Sequence, residues 1–339
     1  MQKIGIVGEG KMGAGLFQLV SESGFSLVWL CSLEADTEKL GSQFARRLKR
    51  ALEAGILTPG QVEKRAATVI TSDPQALHDC DLVIEAIPEE LGLKRDLFRQ
   101  LDGIVQSGCI FASNSSSINP SEMAPASPRA RRFAGIHFFY PVAMKNIAEV
   151  ILSKETDAEA LQRIEKFLEA VGRKYIVLDE ENGFLLNKLF LDVQNEAWHV
   201  VDQGRCTEAE MDAIVREHLF PHGIFDFCDS VGLDTMLASV DHYISRYPHR
   251  AHFSGFRDRL AGLVATGKLG RKSGEGFFRY PDCGEPCPLP ANSGEIAGYL
   301  RQIYLSSSKR LTALARLPIE DANHAIREYF GLERGPYEM

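Results

Sequence analysis

Gly8-Glu9-Gly10-Lys11-Met12-Gly13 has the residue types and spacing to hold phosphate. An apolar run from Lys3 to Val7 precedes it, and a helical apolar period from Ala14 to Ser23 follows. In that strand-to-helix setting Gly8 permits a tight turn, Gly10 lets the backbone approach a pyrophosphate, and Gly13 lets helix and strand pack closely. The helix N-terminus adds free N–H groups and positive partial charge. The alternative is a tight turn with no ligand. The adenine ribose usually needs Asp or Glu at the end of the second strand. That position is Cys31, followed by Ser32, with no Arg beside them to receive a 2′-phosphate and Glu34 within reach. NAD is expected, and NADP stays open. Metal chemistry is not expected. His218 and His222 are four apart but flank the Phe220-Pro221 turn, and Cys283 and Cys287 sit among Gly and Pro with no second pair.

The elements that must position this chemistry follow from periodicity. Strands are expected at 3–7, 26–31, 67–71, 81–86, 109–113, 132–137, 148–151 and 174–178, with helices at 14–23, 36–54 and 94–105. Strands alternating with helices predict an α/β fold, a Rossmann doubly wound parallel sheet covered on both faces. After Gly183 strand signals vanish and helical periodicity takes over, so an all-α C-terminal domain is expected. The expected domains are 1–183, binding NAD(P); 184–280, helical; and 294–339, a partial helical repeat behind a Pro-, Gly- and Cys-rich link. An offset of 112 aligns Leu191 with Ile303, Glu208 with Glu320, Ile214 with Ile326, Gly223 with Gly335 and Phe225 with Tyr337.

The chain has 339 residues and a formal charge of −8, which argues against nucleic acid as the main partner. No apolar run is long enough to cross a bilayer. The first strand starts at residue 3, leaving no room for a signal peptide, and the seven cysteines form no disulfide-like framework. A cytoplasmic protein with reduced thiols and a small-molecule partner is expected.

Several stretches carry a family resemblance. Ser113-Asn114-Ser115-Ser116-Ser117, Arg132-Phe133-Ala134-Gly135-Ile136-His137-Phe138-Phe139-Tyr140-Pro141-Val142, Met144-Lys145 and Glu149 resemble the catalytic stretch of the L-3-hydroxyacyl-CoA dehydrogenases. Asn182-Gly183-Phe184-Leu185-Leu186-Asn187-Lys188-Leu189 resembles that family's first C-domain helix. Val231-Gly232-Leu233-Asp234-Thr235 and Gly267-Lys268-Leu269-Gly270-Arg271-Lys272-Ser273-Gly274-Glu275-Gly276-Phe277-Phe278 resemble its later motifs. The likeness covers residues 1 to about 280. The tail resembles part of a second such domain, as in the fused fatty-acid oxidation proteins.

The resemblance implies reversible oxidation of an L-3-hydroxyacyl-CoA to the 3-oxoacyl-CoA, with hydride passing to NAD. Oxidising a secondary alcohol needs a base near neutral pH, and histidine is the natural one. By resemblance His137 is that base, Glu149 orients its ring, Ser116 meets the substrate hydroxyl and nicotinamide, and Asn187 completes the set. Cofactor contacts would come from the glycine turn with Lys11 and Met12, from Cys31 and Ser32, and from Ile87, Glu89, Lys94, Asn114, Ser116, Tyr140 and Lys272. Tyr140 stands where the family has Asn. Arg46, Arg47, Lys49 and Arg50 lie where the family contacts coenzyme A; Arg47 and Arg50 are the substrate candidates, and a solvated helical face is the other reading. Two further enzymatic readings are an acyl-carrier-protein thioester or a free 3-hydroxy acid as substrate. A third is a non-catalytic dinucleotide-binding protein. The resemblance implies a dimer, since family members with one C-terminal domain usually dimerise through it. The half-repeat, with its apolar Leu300, Ile303, Tyr304, Leu311 and Leu314, would therefore enlarge a homodimer or replace the partner in a monomer.

Overall fold

Lys3–Val7 (β1) and Leu82–Glu85 (β4) are apolar almost throughout and buried on both sides, as strands inside a helix-covered sheet must be. The computed structural model describes residues 1–245, 250–281 and 287–339. Cys283 of the Cys283/Cys287 pair lies outside the described residues. The chain divides into two compact units, Met1–Gly183 and Phe184–Met339.

In the first unit Lys11–Ser21 (α1), Ser26–Leu30 (β2), Thr37–Glu53 (α2), Pro59–Ala66 (α3) and Val69–Thr71 (β3) follow β1 in sequence. After β4 come Leu91–Asp102 (α4), Ile110–Ser113 (β5), Pro120–Met123 (α5), Phe133–Phe138 (β6), Ile147–Leu152 (β7), Ala158–Ala170 (α6) and Lys174–Asp179 (β8). The sheet order is β3-β2-β1-β4-β5-β6-β7-β8. Alternate residues of β2 serve opposite faces. Leu27 and Trp29 join Ile4, Ile6, Phe17 and Phe167, while Val28 and Leu30 join Phe98, Phe111 and Phe133. The sheet is not wholly parallel, as the alternation had suggested: β6 and β7 pair antiparallel. Residues 139–146 between them hold no helix. A parallel pair would need a crossover of about a dozen residues or more.

The second unit is helical: Leu185–Asp202 (α7), Glu208–His218 (α8), Ile224–Val231 (α9), Leu233–Ser245 (α10), Ser254–Ala265 (α11), Ser293–Leu314 (α12) and Ile319–Phe330 (α13). α7 is buried on nearly every side, and α12 packs along it. Arg310 of α12 bonds Asp192 at 2.5 Å, and Tyr299 donates to Glu196. From α13, Phe330 stacks on Phe220 at 4.4 Å and meets Phe190 edge-on at 5.4 Å.

Leu300, Tyr304 and Leu311 are buried, but Leu314 is exposed, so the covered face is narrower than its apolar spacing implied. The repeat also slips by one residue in its second helix. Asp212 accepts from the N–H groups of Phe225 and Asp226, and its counterpart is Asn323, which accepts from Tyr337. The buried pair Ile214 and Val215 of α8 therefore corresponds to Ala325 and Ile326, and Ile214 does not align with Ile326. The Gly223 and Gly335 turns stay in step because α13 has one more residue than α8. A gapless offset cannot show this, since each helix sets its own buried face.

Ending the chain after Tyr280 removes α12 and α13 and uncovers Phe190 and Phe220. The truncated protein is expected to change oligomeric state in light scattering, or to aggregate. Unchanged mass, solubility and melting temperature would exclude a packing role for the tail.

Candidate active site

The antiparallel register of β6 and β7 places His137 directly opposite Glu149. Directly opposed residues point to the same face, so the two side chains meet. His137 Nδ1 lies 2.8 Å from Glu149 Oε2, with the carboxylate fully buried and the ring 4% exposed. A water-excluded carboxylate in this position fixes the ring and favours its Nδ1–H tautomer.

A second cluster forms where the ends of β4 and β5 meet α4. Lys94 is 1% exposed, with its Nζ 2.6 Å from Glu85 and 3.2 Å from Glu89. Glu89 Oε1 accepts from the hydroxyls of Ser115 (2.5 Å) and Ser117 (2.9 Å) and from the N–H groups of Ser116 and Ser117 (3.0 Å each). Burial pushes the Glu89 carboxyl up, but the Lys94 ammonium and the serine hydroxyls outweigh it and hold it below the usual range. Glu85 is buried more deeply, and there desolvation prevails over Lys94 and raises it. The loop carrying Ser116 is thus tied to Glu89, and Glu89 is tied to Lys94. Asn114 accepts from the Phe138 N–H at 2.9 Å and locks the end of β5 beside the strand of His137. Glu85 and Ser113, joined at 2.5 Å, were not singled out from the sequence. The available signal was a carboxylate ending the apolar run Leu82-Val83-Ile84, which demands a buried partner.

The glycine turn has the form its spacing implies. Gly8 adopts φ +106°, and a Cβ there would lie 2.6 Å from the Ala86 carbonyl oxygen. A Cβ on Gly13 would lie 2.0 Å from the Gly8 oxygen, whereas nothing stands within 4 Å of one on Gly10. Gly10 caps α1, so free N–H groups face this open side, a cradle that fits a pyrophosphate. Lys11 and Met12 open the helix, and Ile87 donates its N–H to Glu85 at 2.7 Å.

Other expected residues fall differently. Cys31 is corrected: its side chain is in the apolar core, and burial pushes its thiol up to about 11, so it offers no charged acceptor. Ser32 is exposed. Lys94 is too buried to greet a ligand as a free cation and acts through Glu89. Tyr140 is 60% exposed. Arg46, Arg47, Lys49 and Arg50 lie on the exposed face of α2 around buried Leu48. In the helical unit, Asn187 donates to Tyr243 and accepts from Tyr329, each at 3.0 Å. Lys272 is paired with Asp234 at 2.5 Å. His222 packs its ring among Phe190, Phe220 and Phe227. Glu196, His199 and His252 bring ligand atoms within 4.8 Å. Glu196 already bonds His252 and the tail's Tyr299, so the cluster reads as a fastening between α7 and α12.

The fold and site define a class: a Rossmann-type dinucleotide-binding unit with a buried histidine–carboxylate pair in its sheet. The family model described as "3-hydroxyacyl-CoA dehydrogenase, NAD binding domain" matches residues 3–181, and the one for the C-terminal domain matches residues 183–280. A probable 3-hydroxybutyryl-CoA dehydrogenase of Deinococcus radiodurans is 34% identical over 286 residues, covering 82% of this chain and all (100%) of that protein. Mitochondrial hydroxyacyl-coenzyme A dehydrogenase of Rattus norvegicus is 32% identical over 288 residues, covering 83% and 91%. Among solved structures, (S)-3-hydroxybutyryl-CoA dehydrogenase from Ralstonia eutropha is similar with a TM-score of 0.75 at 31% identity, covering 83% of this chain and 100% of that one. The fold alone is shared with 3-hydroxybutyryl-CoA dehydrogenase from Escherichia coli K12, at 20% identity, TM-score 0.81, and coverage of 99% and 90%. That match runs through the tail. This chain belongs to the 3-hydroxyacyl-CoA dehydrogenase family.

Proposed function

We propose that the protein reversibly oxidises the 3-hydroxyl of an L-3-hydroxyacyl-CoA to the 3-oxo group, with NAD as hydride acceptor. The observation that carries this reading is the buried His137–Glu149 pair. Its Nδ1 is held by Glu149, so proton exchange with the substrate hydroxyl falls to Nε2. As the proton arrives, the Glu149 charge stabilises the imidazolium. Ser116, on the loop held by Glu89, presents its hydroxyl to the reacting oxygen. Gly8, Gly10, Lys11, Met12 and Gly13 would hold the pyrophosphate at the start of α1. Asn187 and Lys272 enter the reading through the family resemblance, as substrate and cofactor contacts. Arg47 and Arg50, exposed on α2, would meet coenzyme A phosphates.

We further place the protein in fatty acid metabolism and in the cytoplasm, as a homodimer or as a monomer completed by its half-repeat. The buried free thiols of Cys31, Cys80, Cys109, Cys206 and Cys228 support a reducing compartment. No helix among the described residues is long and apolar enough to cross a membrane.

Acetoacetyl-CoA reduction, followed by loss of NADH absorbance, tests the activity. In that assay Glu149→Gln keeps a hydrogen-bond acceptor for Nδ1 but removes the charge, so kcat is expected to fall roughly 10²-fold while KM stays close to wild type. A kcat within a few-fold of wild type would remove Glu149 from the mechanism.

A further inference from the structure

The end of β2 lacks the carboxylate that a dinucleotide site uses for its adenine ribose, yet a carboxylate is present there in space. It belongs to Glu9, the residue between Gly8 and Gly10. β1 and β2 run parallel with Val7 beside Leu30, so Glu9, two residues past β1, emerges beside Ser32, two residues past β2. Glu9 Oε1 accepts the Ser32 hydroxyl at 2.6 Å, and Oε2 accepts the Ser32 N–H at 3.1 Å. Partial burial pushes the Glu9 carboxyl up, but the two Ser32 hydrogen bonds outweigh it and hold it below its ordinary value. It is therefore an anion near neutral pH. The neighbouring Cys31 is a buried, neutral thiol, so Glu9 and not Cys31 brings a charge to this strand end.

We propose that Glu9, steered by Ser32, is the residue that binds the adenine-ribose hydroxyls and selects NAD(H) over NADP(H). The inference rests on reading the glycine turn as a dinucleotide site. In this fold the ribose lies outside the carboxyl end of β2, next to the first glycine turn. A carboxylate there accepts hydrogen bonds from the 2′- and 3′-hydroxyls and repels a 2′-phosphate. The acceptor has moved from the second strand to the turn. Gly10, which has open space around it, leaves the turn room for both the pyrophosphate and the Glu9 side chain.

The test is equilibrium binding of NADH, NADPH and 2′-deoxy-NADH, read by nucleotide fluorescence, to the full chain and to Glu9→Gln. Wild type should bind NADH well above NADPH, and 2′-deoxy-NADH more weakly than NADH. Glu9→Gln should lose roughly 10- to 100-fold for NADH, the worth of a hydrogen bond to a charged group. Its preference against NADPH should shrink, and the penalty for the missing 2′-hydroxyl should largely vanish. If wild type binds no nucleotide, the dinucleotide reading itself fails. If wild type binds NADH tightly, and the variant shows the same 2′-deoxy penalty and the same rejection of NADPH, the site stands and Glu9 is not its ribose acceptor. Should Glu9→Gln fold poorly, Ser32→Ala removes the steering hydroxyl and is expected to weaken NADH more than 2′-deoxy-NADH. Equal weakening of both would overturn the proposal.

Discussion

His137→Gln is expected to lower turnover by roughly 10²–10⁴-fold, the usual cost of a lost general base, while NADH binding stays near wild type. Glutamine can still donate a hydrogen bond to Glu149, so the buried carboxylate keeps a partner and the sheet keeps its register. What disappears is the ring nitrogen that takes the proton from the substrate hydroxyl. The glycine turn is formed by β1, α1 and the Ala86 backbone, none of which depends on the imidazole. A steady-state assay paired with NADH titration separates the two effects. Turnover within a few-fold of wild type would end the assignment of His137 as the base.

Lys94→Met is expected to destabilise the nucleotide-binding unit strongly. The methionine fills a similar volume but leaves Glu85 and Glu89 buried without the ammonium that sits 2.6 and 3.2 Å from them. Removing one partner of a buried ion pair costs about 3–5 kcal/mol. For a unit of this size that lowers Tm by roughly 6–20 °C. The variant's carboxyls would have folded pKa values above their unfolded ones, so its native state binds protons more tightly than its unfolded state. The deficit is therefore largest at neutral pH and shrinks as pH falls toward the unfolded carboxylate range. Denaturant melts of both proteins across pH check this. A loss below about 1 kcal/mol, typical of an exposed pair, or a deficit that grows in acid would reject the account. Because the cluster anchors the Ser116 loop through Glu89, the residual folded protein should also turn over more slowly.

What could be read directly from the chain is what is encoded locally. The glycine turn shows itself in six consecutive residues, and each strand and helix in its own apolar period. His137, Glu149, Ser116 and Asn187 stood out as candidates through motifs that resemble the family's. The division after Gly183 was legible because periodicity changes there from strand to helix. Composition and charge argue against nucleic acid as the main partner.

Only the tertiary structure decided which of these residues meet. His137 faces Glu149 because β6 and β7 are antiparallel, which follows from a link too short for a crossover. Glu89 and Lys94 stand in the sequence as cofactor contacts, yet the fold buries Lys94 between Glu89 and Glu85 and makes the three one network. Cys31 holds the ribose position by count, but the twist and pleat of β2 turn it into the core, and Glu9 reaches Ser32 from the neighbouring turn. The tail's repeat slips by a residue because each helix rotates to bury its own face. The physical reason is the same in every case. Periodicity and turn chemistry act over a few residues, whereas strand register, burial of charge and the direction of a side chain are set by chain segments brought together from far apart.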